Sequence, residues 1–247
     1  MLSRTISQAT RTATGLALAA AALGLPGSPA AAQTRSQVYG SQLVQQAQTV
    51  YVRADAGMTT YESQAADSKE TKGSMTYNVG GWFGENRSAG LSVTSSDQNV
   101  HYSLNDAQTK MSFEDVRAMV RLGWLTPSLG VSLSEVQVQR GGEQTVSLIG
   151  TGVNAGLGLQ VPISSSIVVY GDALTVRTTK DFDKVDDTTK LGNRNEADAG
   201  VSFDVTDKMV DFLIGYRVRG YDIKTQTGVF KERSEGAYAG LRFGLYF

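Results

Sequence analysis

The feature that most constrains the fold is a two-residue alternation of apolar and polar side chains, which recurs from Val50 to the end of the chain. In residues 237–247, Leu241 and Phe243 share one face, whereas Gly240 and Arg242 share the other. A period of two places successive side chains on opposite faces of a β-strand, whereas a helix requires a period of 3.6. The chain from residue 49 onward is therefore predicted to be all-β.

The alternating segments are long, and their connections alternate between short and long. The predicted strands lie near 49–62, 74–84, 88–104, 110–125, 128–140, 145–161, 165–180, 196–205, 210–219 and 237–247. The predicted short turns are 85–87, 126–127, 162–164 and 206–208, and the predicted long loops are 63–73, 105–109, 141–144, 181–195 and 225–232. Strands of soluble proteins centre on about five or six residues, but a strand that crosses a membrane needs about 9–11. The pattern predicts a closed antiparallel up-and-down transmembrane β-barrel of about 10 strands, with 8 or 12 as alternatives.

Residue distribution favours a membrane barrel over a soluble one. All lysines fall in predicted loops or at strand ends, and Pro127 and Pro162 fall at predicted short turns. Aromatic residues gather in two groups, which predict the two interfacial girdles of a lipid-embedded barrel. The group beside the short turns is Trp82, Phe83, Trp124, Phe203, Phe212, Phe243 and Phe247, and the group toward the long loops is Tyr77, Tyr102, Tyr170, Tyr216 and Tyr221. One irregularity is a change of phase between Leu133 and Val136, which predicts a β-bulge.

The N-terminal residues read as an export signal. Arg4 and Arg11 precede an apolar run over 15–25, and Ala30 and Ala32 form an A-x-A cleavage site. The apolar run is too short for a membrane-spanning helix, which needs about 20 residues. The predicted organisation is a signal peptide over 1–32, a short periplasmic lead-in over 33–48 and a barrel domain over 49–247.

These features together resemble the small outer-membrane β-barrel proteins of Gram-negative bacteria, and the resemblance covers residues 49–247. Its sharpest motif is the terminal run 241–247, because a C-terminal Phe247 with alternating apolar partners resembles the signal that the barrel-assembly machinery reads. Leu245 stands where that family more often has an aromatic residue. The resemblance implies location in the outer membrane and contact with its lipids and with the assembly machinery. It does not imply an activity, because one fold hosts many functions.

The inward face of the predicted barrel carries charges of both signs. The predicted lumen cluster is Arg53, Asp55, Asp115, Arg117, Arg121, Glu196, Asp198, Asp204, Asp211, Arg217, Arg219 and Arg242. Ten strands lie near the size at which side chains fill the lumen, and buried charges are normally paired. We therefore expect a plug of ion pairs, with a narrow porin-like channel for small polar solutes as the alternative. The run of Gly150, Gly152, Asn154, Gly156 and Gly158 is expected to leave room for long arginines or for a water path.

Other functions are less well supported by the sequence. A net charge of −1 argues against nucleic-acid binding, and no cysteine with a single histidine leaves no metal site or cofactor to predict. His101 and Ser103 have the H-x-S spacing of lipid A deacylase barrels, and Glu114 is a candidate to orient the histidine. An outer-membrane lipid hydrolase is thus the second alternative. The expected function is non-enzymatic, a structural or surface-interaction role through long extracellular loops that contact surface ligands.

Overall fold

The computed structural model describes residues 50–63, 68–84, 87–102, 107–140, 143–181, 189–206 and 209–245. The strands are β1 (Val50–Ser63), β2 (Ser68–Phe83), β3 (Ala89–Tyr102), β4 (Ala107–Val120), β5 (Leu125–Arg140), β6 (Glu143–Pro162), β7 (Ile167–Asp181), β8 (Lys190–Asp204), β9 (Val210–Thr225) and β10 (Gly228–Leu245). They pair antiparallel in chain order, and β1 pairs with β10 to close the barrel. The predicted fold class and the count of ten strands are therefore confirmed. The predicted signal peptide and lead-in lie outside the described residues.

The barrel has two rims. The turn rim, which includes 121–124 and 163–166, is where β2 meets β3, β4 meets β5, β6 meets β7 and β8 meets β9. The loop rim, which includes 226–227, is where β1 meets β2, β3 meets β4, β5 meets β6, β7 meets β8 and β9 meets β10.

The predicted loop bounds are wrong within the described residues, because β2 includes 68–73, β8 includes 190–195 and β10 includes 228–232. The rest of the predicted loops at 63–73, 105–109, 141–144 and 181–195 lies mainly outside the described residues. The turn predicted at 126–127 is also displaced, since Leu122 pairs with Leu125 and Gly123 adopts a φ of 63°. Pro127 consequently lies inside β5.

The half of the barrel next to the turn rim is apolar on the outside. We call it the belt half. It comprises 50–58, 75–83, 89–95, 115–120, 125–133, 153–162, 167–173, 197–204, 210–218 and 237–245. Every strand contributes at least one exposed large apolar side chain to it, and the most exposed is Leu129 at 68%. Nine residues such as Val50–Met58 extend about 30 Å. At the 35–45° tilt typical of membrane barrels this gives roughly 21–24 Å, close to the apolar band of that class.

The half next to the loop rim, which we call the distal half, has the opposite polarity. Tyr61, Phe113 and Tyr221 point inward and are buried, whereas outward positions such as Glu62 and Lys231 are exposed. Every lysine in the described part of the chain lies on this half. An apolar interior with a polar exterior is the arrangement of a barrel surrounded by water. The strands therefore pass from an apolar surrounding to an aqueous one within their own length.

In residues 128–140 the apolar side chains change from the outward to the inward face at the boundary between the belt half and the distal half. No β-bulge occurs at that point. Leu133 pairs with Thr151 and Val136 with Leu148, without a shift of register between them. Leu133 is on the outward face of the belt half, and Val136 is on the inward face of the distal half. The register shift of this pair of strands occurs later, between Val138 and Gln139. The predicted bulge is therefore wrongly placed.

The aromatic residues divide between the two faces. Those exposed on the belt half are Tyr77, Phe83, Phe203, Phe212, Tyr216 and Phe243, and Trp124 is exposed at the turn rim. Trp82, Tyr170 and Tyr221 are instead buried inside, which corrects the girdle prediction. Phe247 and the side chain of Tyr102 lie outside the description.

Inward aromatic rings cover glycines of the neighbouring strand. A Cβ on Gly90 would lie 2.8 Å from the Trp82 ring, and a Cβ on Gly215 would overlap the hydroxyl of Tyr238. These glycines permit close approach, so each ring lies flat against the barrel wall.

In the described residues no helix is long and apolar enough to cross a membrane.

Candidate functional site

The centre of the belt half is crossed by a layer of four charged side chains. Arg53, Asp55, Asp198 and Arg217, with Tyr170 and Tyr238, form what we call the charged layer. The register of the strands brings these residues together. Asp198 of β8 pairs with Arg217 of β9, and β1, which closes the barrel by pairing with β10, carries Arg53 and Asp55.

Each arginine of the charged layer contacts both aspartates. Arg53 lies 2.9 Å from Asp55 and 3.3 Å from Asp198, measured from its nitrogens to carboxylate oxygens. Arg217 lies 3.1 Å from Asp55 and 2.8 Å from Asp198 by the same measure. The side chains are 2–18% exposed, so solvent screens these pairs little. Crossed pairing of this kind compensates the desolvation of each charge.

Two tyrosines complete the layer. The hydroxyls of Tyr170 and Tyr238 are 2.6 Å apart, and Tyr238 also donates a hydrogen bond to Asp198. The guanidinium carbon of Arg53 lies 5.4 Å from the Tyr170 ring centroid, and that of Arg217 lies 4.6 Å from the Tyr238 centroid. The rings therefore fill the space between the charges and hold the guanidinium groups by cation–π contact.

Most of the remaining predicted charges are also paired. Arg219 contacts Glu196 at 2.8 Å, and Glu196 also lies 3.5 Å from Nε of Arg217 in the charged layer. Arg242 contacts Asp211 at 2.6 Å. Arg117 pairs with Asp172 at 2.6 Å, and Asp115 pairs with Arg194. Asp204 and Arg121 lie at the turn rim, apart from the charged layer.

Asp172 and Arg194 are members of the lumen cluster that the sequence reasoning missed. Asp172 lies in a segment with apolar residues on both faces, and Arg194 lies in a segment predicted as loop. Asp172 lies two residues after inward-facing Tyr170 on β7, and Arg194 lies four residues before inward-facing Asp198 on β8, so both side chains face inward. Correct strand limits would have identified Arg194, and the pairing of Asp172 with inward-facing Asp198 gives the face of Asp172.

Beyond the charged layer, the distal half is filled by a hydrophobic cluster that we call the distal core. Its buried members are Tyr61, Met111, Phe113, Val136, Leu148, Leu191 and Tyr221. The hydroxyls of Tyr61 and Tyr221 are 2.9 Å apart, and buried Glu232 accepts hydrogen bonds from Tyr61 and Ser63. The lumen on the loop-rim side is thus filled by these apolar side chains together with buried polar ones, among them Arg194, whose guanidinium carbon lies 4.7 Å from the Phe113 ring centroid.

On the turn-rim side the lumen holds a cavity of about 240 Å³, which we call the vestibule. The charged layer lines its inner end, and Arg121, Ser165 and Ser166 line it near the rim. Gly156 and Gly158 of the predicted glycine run lie on the inward face of β6. A Cβ on Gly156 would lie 3.3 Å from Leu174 of β7, and a Cβ on Gly158 would lie 3.7 Å from Asp172 of β7. The run therefore gives room to residues of β7 and, at Gly158, to the vestibule.

The backbone separates two of the three catalytic candidates, His101 and Glu114. Residue 101 pairs with Gln108, whereas Glu114 pairs with Ser95, six residues away along β3. Six residues of strand extend about 20 Å. Ser103 and the side chain of His101 lie outside the described residues. Glu114 is therefore too far along the sheet to orient a histidine at position 101.

Two further predictions concern ions and the C-terminal residues. No group of three His, Cys, Asp or Glu side chains suited to a metal occurs in the described ranges. Leu245 ends β10, pairs with Val50 and is 48% exposed on the outward face. Phe247 is outside the description, so the assembly signal remains a prediction.

Comparison with known proteins finds no match to a family model or to a curated protein. Among solved structures, Neisserial surface protein A is 18% identical with a TM-score of 0.44, covering 80% of this chain and 97% of that one. The translocator domain of the autotransporter NalP from Neisseria meningitidis is 13% identical with a TM-score of 0.42, covering 98% and 97%. The attachment invasion locus protein Ail of Yersinia pestis is 12% identical with a TM-score of 0.35, covering 78% and 97%. None of these values assigns the chain to a family.

Proposed function

We propose that the protein is a non-enzymatic integral barrel of a Gram-negative outer membrane, with a lumen closed to solutes and a structural or surface-interaction role. The observation that carries the proposal is the inversion of polarity between the two halves of the barrel. The belt half meets lipid, and the distal half projects into water.

Exposure of the belt half supports the membrane location. Large apolar side chains on all ten strands are exposed, including Met58 at 62% and Val131 at 58%. Soluble monomers rarely expose a contiguous apolar patch larger than a few hundred Å². A continuous ring of such residues needs lipid as its partner. The proposed partners are therefore outer-membrane lipids and, during insertion, the barrel-assembly machinery.

Two successive barriers support the closed lumen. The charged layer crosses the belt half, and the distal core fills the part beyond it with buried apolar side chains. A hydrated solute would have to separate paired charges and then pass an apolar core. Both steps are costly, because unpaired buried charges and wetted apolar surfaces are unfavourable.

The surface role is proposed for the distal half rather than for long loops. The strands themselves extend beyond the belt and present polar outward residues such as Thr175, Arg177 and Arg233. A rigid sheet surface can present contacts to a surface ligand without ordering a loop, which lowers the entropic cost of binding. Nucleic acid is not an expected partner.

Planar-bilayer recording of the refolded protein tests closure against the porin-like alternative. We expect no unitary current, with insertion verified by co-flotation of the protein with lipid vesicles. Reproducible unitary currents from inserted protein would establish the narrow channel instead.

The lipid hydrolase alternative is tested by mass spectrometry of lipid A from cells with and without expression of the protein. We expect unchanged acylation, and loss of an acyl chain would overturn the non-enzymatic assignment.

A further inference from the structure

The seam between β2 and β3 is open at the loop rim. The ladder of backbone hydrogen bonds between these strands ends at Ser74 and Gln98. Both strands continue past that point, β2 over 68–73 and β3 over 99–102, because β1 and β4 still pair with them on their other sides. Two strand edges thus face each other without a ladder between them in the described part of the chain. We call the space between these edges the slot.

The other seams of the described barrel are closed at this rim or have one edge only. The ladder of β4 with β5 reaches the first residue of β4, and that of β8 with β9 reaches the first residue of β8. β7 and β1 are paired with β6 and β10 to their last residues, Asp181 and Ser63. The ladder of β7 with β8 also ends early, but there Thr178 donates a hydrogen bond to the carbonyl of Gly192, and residues 182–189 join the two strands at the rim. No such join crosses the slot, because β2 and β3 are connected to each other at the turn rim.

The edge of β2 is uncovered where the slot begins. Gly73 is the first residue past the ladder, and a Cβ built on it would have no atom within 4 Å beyond its chain neighbours. Gly171 and Gly220 are outward glycines inside paired seams, and a Cβ on them would lie 3.6 and 3.8 Å from a carbonyl oxygen of the adjacent strand. No part of the described chain therefore covers β2 at Gly73 as a neighbouring strand would.

A half-buried cation lies beside this edge. Lys72 shares the inward face of β2 with buried Thr76 and lies opposite Thr59 of β1. It forms no ion pair within the described ranges, and Glu70, the next side chain on the same face, does not pair with it. Partial burial of a charge without a partner is unfavourable, so Lys72 gains an interaction when a carboxylate comes next to it.

The edges select an extended peptide as the ligand. A strand edge presents backbone N–H and C=O groups in a row, and an extended peptide adds to such an edge by main-chain hydrogen bonds. The β2 edge extends about 20 Å and the β3 edge about 13 Å, which suits a segment of four to six residues. Successive side chains of an added strand point to opposite faces, so a carboxylate opposite Lys72 faces inward and its two neighbours face water.

We propose that the slot binds an extended acidic segment of a partner protein, which adds as a strand to the β2 edge with a carboxylate beside Lys72. This names the partner of the surface-interaction role and rests on the proposed function, in which the distal half is exposed to water at the cell surface. The binding step itself requires only the folded barrel. A measurement in detergent micelles is therefore independent of the membrane location, which vesicle flotation tests separately.

Binding of a synthetic strand tests the proposal. The probe is the peptide Thr-Val-Thr-Glu-Thr-Val-Thr with a fluorescent label on a terminal linker, and its sequence reads the same in both directions, so it can pair in either orientation. Control peptides replace the glutamate by lysine, or both valines by proline, which cannot donate to a ladder. Fluorescence anisotropy is measured with the refolded full chain in micelles. We expect saturable binding of the glutamate peptide, at least tenfold weaker binding of the lysine peptide, and none of the proline peptide.

Hydrogen exchange locates the bound strand. We expect the glutamate peptide to slow amide exchange in 68–73, because its main chain pairs with that edge. Residues 219–224 of β9 are the internal control, since β9 already pairs with β8 and β10 on its two sides, and their exchange should not change.

Exchanging the charge identifies the role of Lys72. Lys72→Glu is expected to reverse the preference, so that the lysine peptide binds more tightly than the glutamate peptide. Lys190→Glu changes an exposed lysine in the paired seam of β8 and β9, and this matched control should bind both peptides as the parent does. If Lys72→Glu does not refold, Lys72→Gln takes its place and should bind the two peptides equally.

Each contrary result overturns a stated part of the proposal. Absence of saturable binding by the glutamate peptide, or equal affinity for the proline peptide, would refute strand addition. Equal affinity of the parent for the glutamate and lysine peptides, or an unchanged preference in the Lys72 variants, would refute the acidic partner. Slowed exchange only outside 68–73 would refute the slot. Slowed exchange at 68–73 without peptide, increasing with protein concentration, would assign the slot to a second copy of the chain.

Discussion

Replacing Arg217 by glutamine tests the energetic role of the charged layer. Arg217 donates to Asp55 and Asp198 through Nη1 and Nη2, and Nη1 also donates to Thr76 at 2.5 Å. Its side chain is only 12% exposed. Glutamine preserves much of the volume but removes the positive charge. Two buried carboxylates are then left with Arg53 as their shared cation.

The expected loss of unfolding free energy is about 3–5 kcal/mol, the range for breaking a buried ion pair from one side. We expect a value near 3 because Arg53 still contacts both aspartates. Asp198→Asn combined with Arg217→Gln removes one charge of each sign. The double variant should therefore lose less stability than Arg217→Gln alone, and a double-mutant cycle measures that coupling.

The assay is urea unfolding of the refolded protein in lipid vesicles, followed by tryptophan fluorescence. Arg233→Gln is the control, because Arg233 pairs with Glu235 at the surface with 58% and 32% exposure. Exposed pairs contribute about 0–1 kcal/mol, so the control should change little. Equal destabilisation by Arg217→Gln and Arg233→Gln would refute a stabilising role of the charged layer. A double variant no more stable than Arg217→Gln alone would refute it as well.

Three further substitutions test the belt half, the packing of Tyr238 against Gly215, and the distal core. Leu129→Lys should destabilise the vesicle-embedded barrel by about 2–4 kcal/mol, whereas Thr60→Lys on the distal half should be nearly neutral. Equal urea midpoints of the two variants would contradict contact of the belt half with lipid. Gly215→Ala should cost about 1–3 kcal/mol because its Cβ overlaps the Tyr238 hydroxyl, and an unchanged midpoint would argue against that contact. Phe113→Ala, at a site 1% exposed, should cost about 3–5 kcal/mol in the same assay, and a loss below 1 would show the distal core to be loosely packed.

Much of the fold was predictable because the belt half follows a simple period of two. The alternation alone locates strands at 210–219 and 237–247. Counting back from the turn predicted at 206–208 brings Asp198 close to Arg217, and the two residues are paired in the barrel. Closure of the barrel by its first and last strands brings Arg53 and Arg242 to one seam, where they are paired. These predictions depend only on parity and strand order.

The distal half was missed because its alternation has the reverse phase. On β4, Met111 and Phe113 point inward, while Val116 and Val120 point outward, so the apolar residues change parity along one continuous strand. A search for outward apolar residues therefore stops at the boundary and assigns the rest to loops. The same reversal between Leu133 and Val136 produced the misplaced bulge.

Contacts between distant strands could not be read from parity. The carboxylate of Asp55 reaches Arg217 although β9 and β1 are separated by β10, because the lumen is narrow enough for their side chains to meet. The stacking of Arg121 on Trp82 likewise depends on the rotamers of both side chains and on the space above Gly90. Rotamers and lumen width are tertiary properties, and a single sequence does not encode them in its periodicity.

Spin labelling along the outward face of β10 is the most direct test of the inverted barrel. The chain has no cysteine, so single cysteines at 231, 233, 235, 237, 239, 241 and 243 can each carry one label without background. In lipid vesicles, power-saturation spectroscopy compares accessibility to oxygen with accessibility to a water-soluble nickel complex. We expect nickel access at 231–235 and a change to oxygen access between Glu235 and Ala237. Lipid burial of labels at 231–235, or water access at 239–243, would contradict the inverted barrel.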